Sequence, residues 1–436
     1  MKKHLLALSA AAVLLAPNAV GAEGFSINEW SAEGFGMGGA RMFAENDAAN
    51  MAYNPASLTK IQGEVAKISA TYISPHGKYK TYGAPTYDAT TGKPNGYNHD
   101  FVNDSGHNRV HPAWAPGMYY AKQLNEKEFI GFGSYARFGN SCQFEPGSMP
   151  GFNNTSSKVN GMSVGVNYAK KLDNKWSASL GAEINYAWLQ IDKTVPNAVN
   201  ALTGAWGKMQ TEGESYALGW NAAANYAFDD KNEMGIVYRS AVNHSMEANV
   251  RATGAFALEL GNPTEAYGCV TLPESVMIGY GHKFNDKTRV ELNGTWTRWS
   301  RFDSLDMSFN GGEPHEDPKN WKDGWRYAIG VEHKLSDKYS LLGGIAYDES
   351  GIPDYELGKV ETVGADFMVP TGTRTTFTIG TQYHDEKQTV ALTIGYMKVG
   401  DLFIEGAESS QGPVYSHAKM YDSYTKLVSI SYQYNF

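Results

Sequence analysis

Residues 176–188 read WSASLGAEINYAW. Trp176, Ala178, Leu180, Ala182, Ile184, Tyr186 and Trp188 fall on one side of an extended chain, and Ser177, Ser179, Gly181, Glu183 and Asn185 fall on the other. Successive side chains of a strand point to opposite faces, so this is a strand with one apolar face. The apolar face begins and ends on tryptophan, as a strand does when it crosses lipid between two aromatic girdles. Residues 215–228 repeat the pattern: Tyr216, Leu218, Trp220, Ala222, Ala224, Tyr226 and Phe228 oppose Ser215, Gly219, Asn221 and Asn225. Trp325, Tyr327, Ile329, Val331 and Leu335 form a third such face, and Val390, Leu392, Ile394 and Tyr396 a fourth.

Outward from these segments, two kinds of connection take turns. Short ones built from Asn, Asp and Lys stand at 124–127, 172–175, 229–232, 285–288, 336–338 and 384–387 and read as tight hairpin turns. The others are long and rich in Gly, Pro, Asn and Asp. Strands are expected near 64–73, 112–123, 128–139, 158–171, 175–190, 214–228, 232–247, 274–284, 288–301, 324–335, 338–347, 373–384, 387–399 and 426–436, about fourteen in all. An even count with alternating short and long connections predicts an all-β fold, a closed transmembrane antiparallel β-barrel with short turns on the periplasmic side. Closure satisfies the backbone groups that lipid cannot. A soluble sandwich fits poorly, because so many polar inner faces could not form a dry core. The chain ends in a strand, 425–436 (TKLVSISYQYNF), whose terminal Phe436 suits recognition by barrel insertion machinery.

Three segments follow. Residues 1–22 carry Lys2 and Lys3, an apolar run from Leu5 to Ala16 and small residues before Ala22, the pattern of a signal peptide cleaved after Ala22. The run is too short to span a membrane as a helix. Without those two lysines the net charge moves from -9 to -11, which argues against a nucleic-acid partner. Residues 64–436 are the outer-membrane barrel. Residues 23–63 are different: EGFSINEWSAEGFGMGGARMFAENDAANMAYNPA, which opens that segment, has neither strand nor helix periodicity, and Gly34, Gly36, Gly38 and Gly39 supply little apolar area. Such a segment needs a host, and the barrel lumen supplies one; it is expected to be a plug, or hatch.

Two cysteines, Cys142 and Cys269, could form one disulfide in an oxidising compartment, although sequence does not establish that they are close. His76, His99, His107 and His111 share an outer loop with Asp100 and Asp104, and Glu313, His315, Glu316 and Asp317 share another. Without recurring ligand spacing these are read as solvated loops, and no metal or cofactor is expected. No glycine loop stands before a helix to cradle phosphate, and no nucleophile is fixed near a base by sequence.

The segments Gly24-Phe25-Ser26-Ile27-Asn28-Glu29-Trp30, Asp47-Ala48-Ala49-Asn50 and Asn54-Pro55-Ala56 resemble the start of the FadL family of outer-membrane fatty-acid and hydrocarbon transporters. Later segments resemble its strand and loop signatures in the same order, among them Tyr238-Arg239-Ser240, Thr297-Arg298-Trp299-Ser300, Trp321-Lys322-Asp323-Gly324-Trp325-Arg326-Tyr327 and Gly344-Ile345-Ala346-Tyr347-Asp348. The resemblance implies a fourteen-stranded barrel with an N-terminal hatch, passing long-chain fatty acids or similar hydrophobes inward and releasing them sideways into the membrane. It implies Phe25 as the hatch tip near the ligand and Asn54, Pro55 and Ala56 as the turn fixing the hatch base. A lateral gap beside a kinked strand would fall in the third strand, where Gly131, Gly133 and Gly139 suit a bulge. Lys322 is the first choice for a carboxylate contact and Arg326 the second, with an interior ion pair to Glu332 the other reading of Arg326. Where fatty-acid members tend to place Arg, this chain has Ala187-Trp188-Leu189-Gln190, and the nearest base is Lys193.

A monomer among outer-membrane lipid and lipopolysaccharide is expected. Uptake of aromatic or alkane hydrocarbons is the alternative within transport. A surface adhesin or phage receptor, and an outer-membrane lipase or protease, are the alternatives outside it. A general porin is disfavoured because the plug would block it.

Overall fold

The computed structural model describes residues 24–436 apart from 84, 88, 89, 91–93, 98–103, 146, 196–206, 254–262, 357, 360, 361, 410 and 411. The proposed signal peptide, His99 and Asp100 lie outside the described residues. Fourteen strands form the wall: β1 (Glu64–Tyr82), β2 (Ala113–Gln123), β3 (Glu128–Gln143), β4 (Ser156–Lys171), β5 (Trp176–Val195), β6 (Gly207–Ala227), β7 (Asn232–Arg239 and Val242–Ala252), β8 (Thr264–Leu272 and Ser275–Lys283), β9 (Thr288–Thr297), β10 (Gly324–Lys334), β11 (Tyr339–Asp348), β12 (Arg374–His384), β13 (Gln388–Val399, with an outer segment Leu402–Ser409) and β14 (Gly412–Asn435). Each pairs antiparallel with the next, and β14 returns to β1, from Val65↔Asn435 at one end to Tyr82↔His417 at the other. Closure leaves no edge facing lipid.

Burial runs inside out. On β5, Leu180 and Ile184 are 63% and 52% exposed, while Ser179, Glu183 and Asn185 are buried. The apolar face is therefore the lipid face. Rings pack at a tilt where that face ends: Trp176 against Tyr226 at the turn side, and Tyr186 against Tyr216 at the outer side. Several strands run beyond the lipid-facing stretch. β1 reaches Tyr82 where alternation suggested an end near residue 73, and β14 begins at Gly412 instead of 426. Above the lipid the outer face turns polar, so the alternation fades while the backbone ladder continues.

Residues 24–63 lie within the ring, since their partners come from walls all round it. Ala32 N–H donates to Ser431 on β14, Asn225 on β6 bonds Asn54, Glu291 on β9 accepts from Met42 N–H, and Thr393 on β13 donates to the Ala32 carbonyl. The segment holds two short helices, α1 (Ala32–Gly36) and α2 (Asn50–Tyr53), and a 3-10 turn (Pro55–Lys60). Among the described residues no helix is long and apolar enough to cross a membrane.

Candidate functional site

Two features meet at the start of the inner segment. The first is a defect in the wall. β3 pairs with β2 from Phe129↔Gln123 to Tyr135↔Gly117 and then leaves it, while β2 continues to pair with β1 through Ala113. Pro116 sits where the β2–β3 ladder stops, and a proline has no N–H for it. On the other side of β3, the register against β4 shifts between Ala136 and Phe138, so Arg137 is the extra residue of a bulge. Gly131 and Gly133, expected at the gap, instead stand in unbroken ladder on both sides. Their missing side chains make room for Met51, Leu58 and Tyr119 on the lumen side. Gly139 pairs with Asn160 on β4 beyond the bulge.

The freed edge of β3 is occupied. Ser26 bridges to Phe138, Ile27 N–H donates to the Arg137 carbonyl at 2.9 Å, Gly139 N–H donates to the Phe25 carbonyl at 2.8 Å, and the Trp30 indole N–H donates to Ala136 at 2.7 Å. Beside this bridge a cavity of about 40 Å³, touching Ser26, Ile27, Phe138 and Arg239, has room for a few waters and none for a carbon chain.

The second feature is a close-packed apolar cluster under the outer loops, an outer chamber filled by its own side chains. Phe25 is its centre, buried and set edge-on to Trp299 at 4.9 Å, Phe302 at 5.6 Å, Phe138 at 5.8 Å and Trp321 at 5.9 Å. Leu189 and Ile191 on β5, Val242 and Met246 on β7, Phe367, and Ile404 on β13 extend the same cluster. Polar groups rim it. Lys319 is buried and paired with Asp366 at 2.6 Å and Asp317 at 2.8 Å. Lys193, half-buried near that pair, has no ion pair of its own among the described residues. Burial lowers its pKa below the ordinary ammonium value, against the pull of Asp317, Asp366 and Glu405.

The other expected bases differ. The Lys322 side chain is exposed, and its backbone N–H bonds Gly351. Arg326 is buried, but its ion pair is with Asp348 at 2.8 Å, not Glu332, and it donates to the Gly38 carbonyl at 2.5 Å. Glu332 belongs to Arg289 and Arg41. Asn54 accepts from Ala56 N–H and donates to Asn225 on β6, Pro55 starts the 3-10 turn, and Ala56 is fully buried against Met42 and Phe43. The disulfide left open by the sequence is absent: Cys142 is buried in the chamber cluster, while Cys269 is exposed on the outward face of β8. Among the described residues no group of His, Cys, Asp or Glu is placed to hold a metal ion.

Sequence reading missed a charged link between wall and inner segment. Glu183 on β5 pairs with Arg137, the bulge residue, and with Arg239 on β7 at 3.9 Å. Arg239 donates to Tyr135 at 2.7 Å and to the Ala52 carbonyl of α2 at 2.5 Å. The available signal was three charges at positions that alternation assigns to the lumen.

One outer group titrates near neutrality. Burial, then Asp366, pushes Glu405 up to about 7, although Gly364 N–H bonds its carboxylate. A folded value above the ordinary one means the packed segment binds more protons than the unfolded chain. Its stability is full below the ordinary carboxylate value and falls as pH rises through about 7. Amide exchange over 402–406 is therefore expected to quicken, beyond the intrinsic pH effect, between pH 5 and 8, and Glu405→Gln to remove that excess.

The chain matches the family described as outer membrane protein transport protein (OMPP1/FadL/TodX) over residues 13–436. It is 25% identical to outer membrane protein P1 of Haemophilus influenzae over 426 residues, covering 88% of this chain and 87% of that protein. It is 24% identical to the long-chain fatty acid transport protein of Escherichia coli K12 over 386 residues, covering 80% and 82%. Among solved structures it superposes on a Pseudomonas aeruginosa FadL homologue with a TM-score of 0.81 at 17% identity, covering 94% of this chain and 99% of that one. The Pseudomonas putida toluene transporter TodX gives 0.65 at 15%, with the same coverage. With its closed fourteen-stranded wall and a family match over almost its whole length, the chain belongs to the OMPP1/FadL/TodX family of outer-membrane transport proteins.

Proposed function

We propose that this protein takes up long-chain fatty acids or similar hydrophobes passively and releases them sideways into the membrane. The observation that carries the reading is the junction at Phe25, where one residue sits at the centre of the outer apolar cluster and its backbone fills the freed edge of β3. A carbon chain entering that cluster has no path through the packed lumen, but withdrawal of Phe25 to Ile27 opens the cluster and the freed edge of β3 together. Lateral exit also returns the chain to lipid, where burial is worth about 0.8 kcal/mol per CH₂. Residues 23–63 act as the hatch, with the Asn54-Pro55-Ala56 turn fixed to β6 as its base and Phe25 as its moving tip. Lys193 is the contact for a carboxylate, being an inward base at the cluster's edge with no ion pair among the described residues. Transport in this form needs no catalytic residue.

The relatives include a protein titled as a long-chain fatty acid transporter and another titled as a toluene transporter. Uptake of neutral aromatic hydrocarbons is the second reading, favoured by the rings around Phe25 and by the ion pairing of Arg326 and Lys319. Native mass spectrometry of the purified barrel for bound hydrophobes, followed by labelled oleate uptake in a deletion strain, tests transport itself. Lys193→Met is expected to slow oleate uptake about tenfold, the worth of a charge-assisted hydrogen bond, without changing toluene uptake. Unchanged oleate uptake would move the assignment to neutral ligands; absence of any bound hydrophobe and of any uptake defect would reject transport.

A further inference from the structure

His244 lies on the outer segment of β7, above the lipid. Asn243, Ser245, Glu247 and Asn249 on the outward face there are exposed and polar, while Val242, His244 and Met246 share the inward face. Val242 and Met246 both belong to the chamber cluster around Phe25 and Trp299, and Val270, paired with His244 across the ladder, packs against that cluster. His244 is 1% exposed, and neither Nδ1 nor Nε2 has a partner. Among the described residues it is the only side chain to leave two polar atoms buried in that state.

Such a group calls for an explanation, because buried polar atoms are nearly always bonded and leaving one unmade is costly. If the position served only to fill space, valine or methionine, as on either side, would do so without that cost. A charge role is excluded by its surroundings: burial, then the Arg137 guanidinium, pushes the imidazole down to about 4, so it is neutral in ordinary media. A neutral imidazole has one donor and one acceptor. A hydrocarbon would answer neither. A carboxylate would use only the donor and would find the adjacent Arg137 already paired with Glu183. A hydroxyl both gives and takes, and the Trp299 indole N–H of the same cluster is likewise buried without a partner.

We propose that His244 is a specificity residue of the outer chamber, reading the hydroxyl of an otherwise apolar cargo, an aliphatic or aromatic alcohol. The inference rests on the uptake reading above and narrows its substrate class. Sites built to bond a hydroxyl discriminate strongly against the analogue that lacks it, because their polar atoms are then left unpaired.

The test compares 1-octanol with n-octane on the purified full-length barrel by calorimetry, in wild type, His244→Leu and His244→Gln. Comparing variants in the same detergent cancels partition into micelles, and the heat-dependent gel shift of the folded barrel confirms assembly. His244→Leu is expected to weaken octanol about tenfold and leave octane within twofold. His244→Gln, which keeps a donor and an acceptor, recovers most of the octanol affinity. Equal losses for both ligands, or octanol binding indifferent to His244→Leu, would overturn the assignment while leaving hydrophobe uptake standing. Failure of wild type to bind either ligand would overturn both.

Discussion

Replacing Gly344 by valine is expected to give a barrel that assembles but does not hold its inner segment, the proposed hatch. Gly344 on β11 pairs with Gly330 on β10, and both face the lumen. Together they form the saddle on which the Met37–Gly38 turn rests, with Gly38 at φ +63° and Gly39 at φ +85°. A Cβ at Gly344 would overlap the Gly38 nitrogen and the Met37 carbonyl carbon. Both are backbone atoms, so no rotamer change relieves the overlap, and the cost exceeds the ~1–3 kcal/mol typical of an overpacked core. Release of the turn is the cheaper response. It also strips Arg326 of its Gly38 carbonyl. The control lies one residue away: a Cβ at Gly343 meets nothing within 4 Å, and alternation turns it outward. In planar bilayers Gly344→Val should conduct continuously and Gly343→Val should remain closed like the parent, with protease cleavage of residues 24–63 following the same order. A closed Gly344→Val channel would show that the hatch is held elsewhere.

The wall was legible in sequence because lipid enforces one rule at every strand. Wherever one face meets lipid, alternation is strict, and the positions of β10, β12 and the main segment of β13 could be read almost to the residue, whereas β5 runs five residues past its expected end. Where that constraint lapses, reading failed for identifiable reasons. The tops of β1 and β14 are held by ladder bonds between polar residues, which leave no periodic trace. β7 was expected as one strand over 232–247, yet it is interrupted at Ser240 and Ala241, where Ser240 accepts from Trp220 N–H. The wall defect was sought at glycines because glycine permits irregular backbone. At Gly131 and Gly133 the missing Cβ serves packing against the inner segment, and the defect is marked by Pro116 and Arg137. Base assignments fared unevenly for the same kind of reason. Whether a lysine or arginine is free depends on its neighbours across the barrel, and Asp348, which occupies Arg326, sits on the adjacent strand at a register that sequence does not print.

Glu183→Leu should be the most destabilising change in the wall. Its carboxylate answers Arg137 and Arg239, all three side chains being buried, and it also lies within reach of Tyr135 and Asn185. Removing one member of such a group leaves uncompensated charge in a dry interior, at about 3–5 kcal/mol, whereas replacing paired charges by apolar groups of similar volume is often nearly neutral. The expected order follows. Glu183→Leu lowers the denaturant midpoint sharply, and adding Arg137→Met restores at least half of the loss, because Arg239 keeps Tyr135 and the Ala52 carbonyl as acceptors. The damage should also be local. Arg137 is the bulge residue and Arg239 grips α2, so the single variant loosens the bulge against which Phe25 to Ile27 pair and the helix held to the wall beside it. Exchange of the Ile27 and Gly139 amides, which bond across that junction, should therefore quicken before amides in the β11–β12 ladder do. If the midpoint is unmoved by Glu183→Leu, or if the double variant is the less stable of the two, Glu183 does not link the wall to the hatch, and the junction is held by its backbone bridge alone.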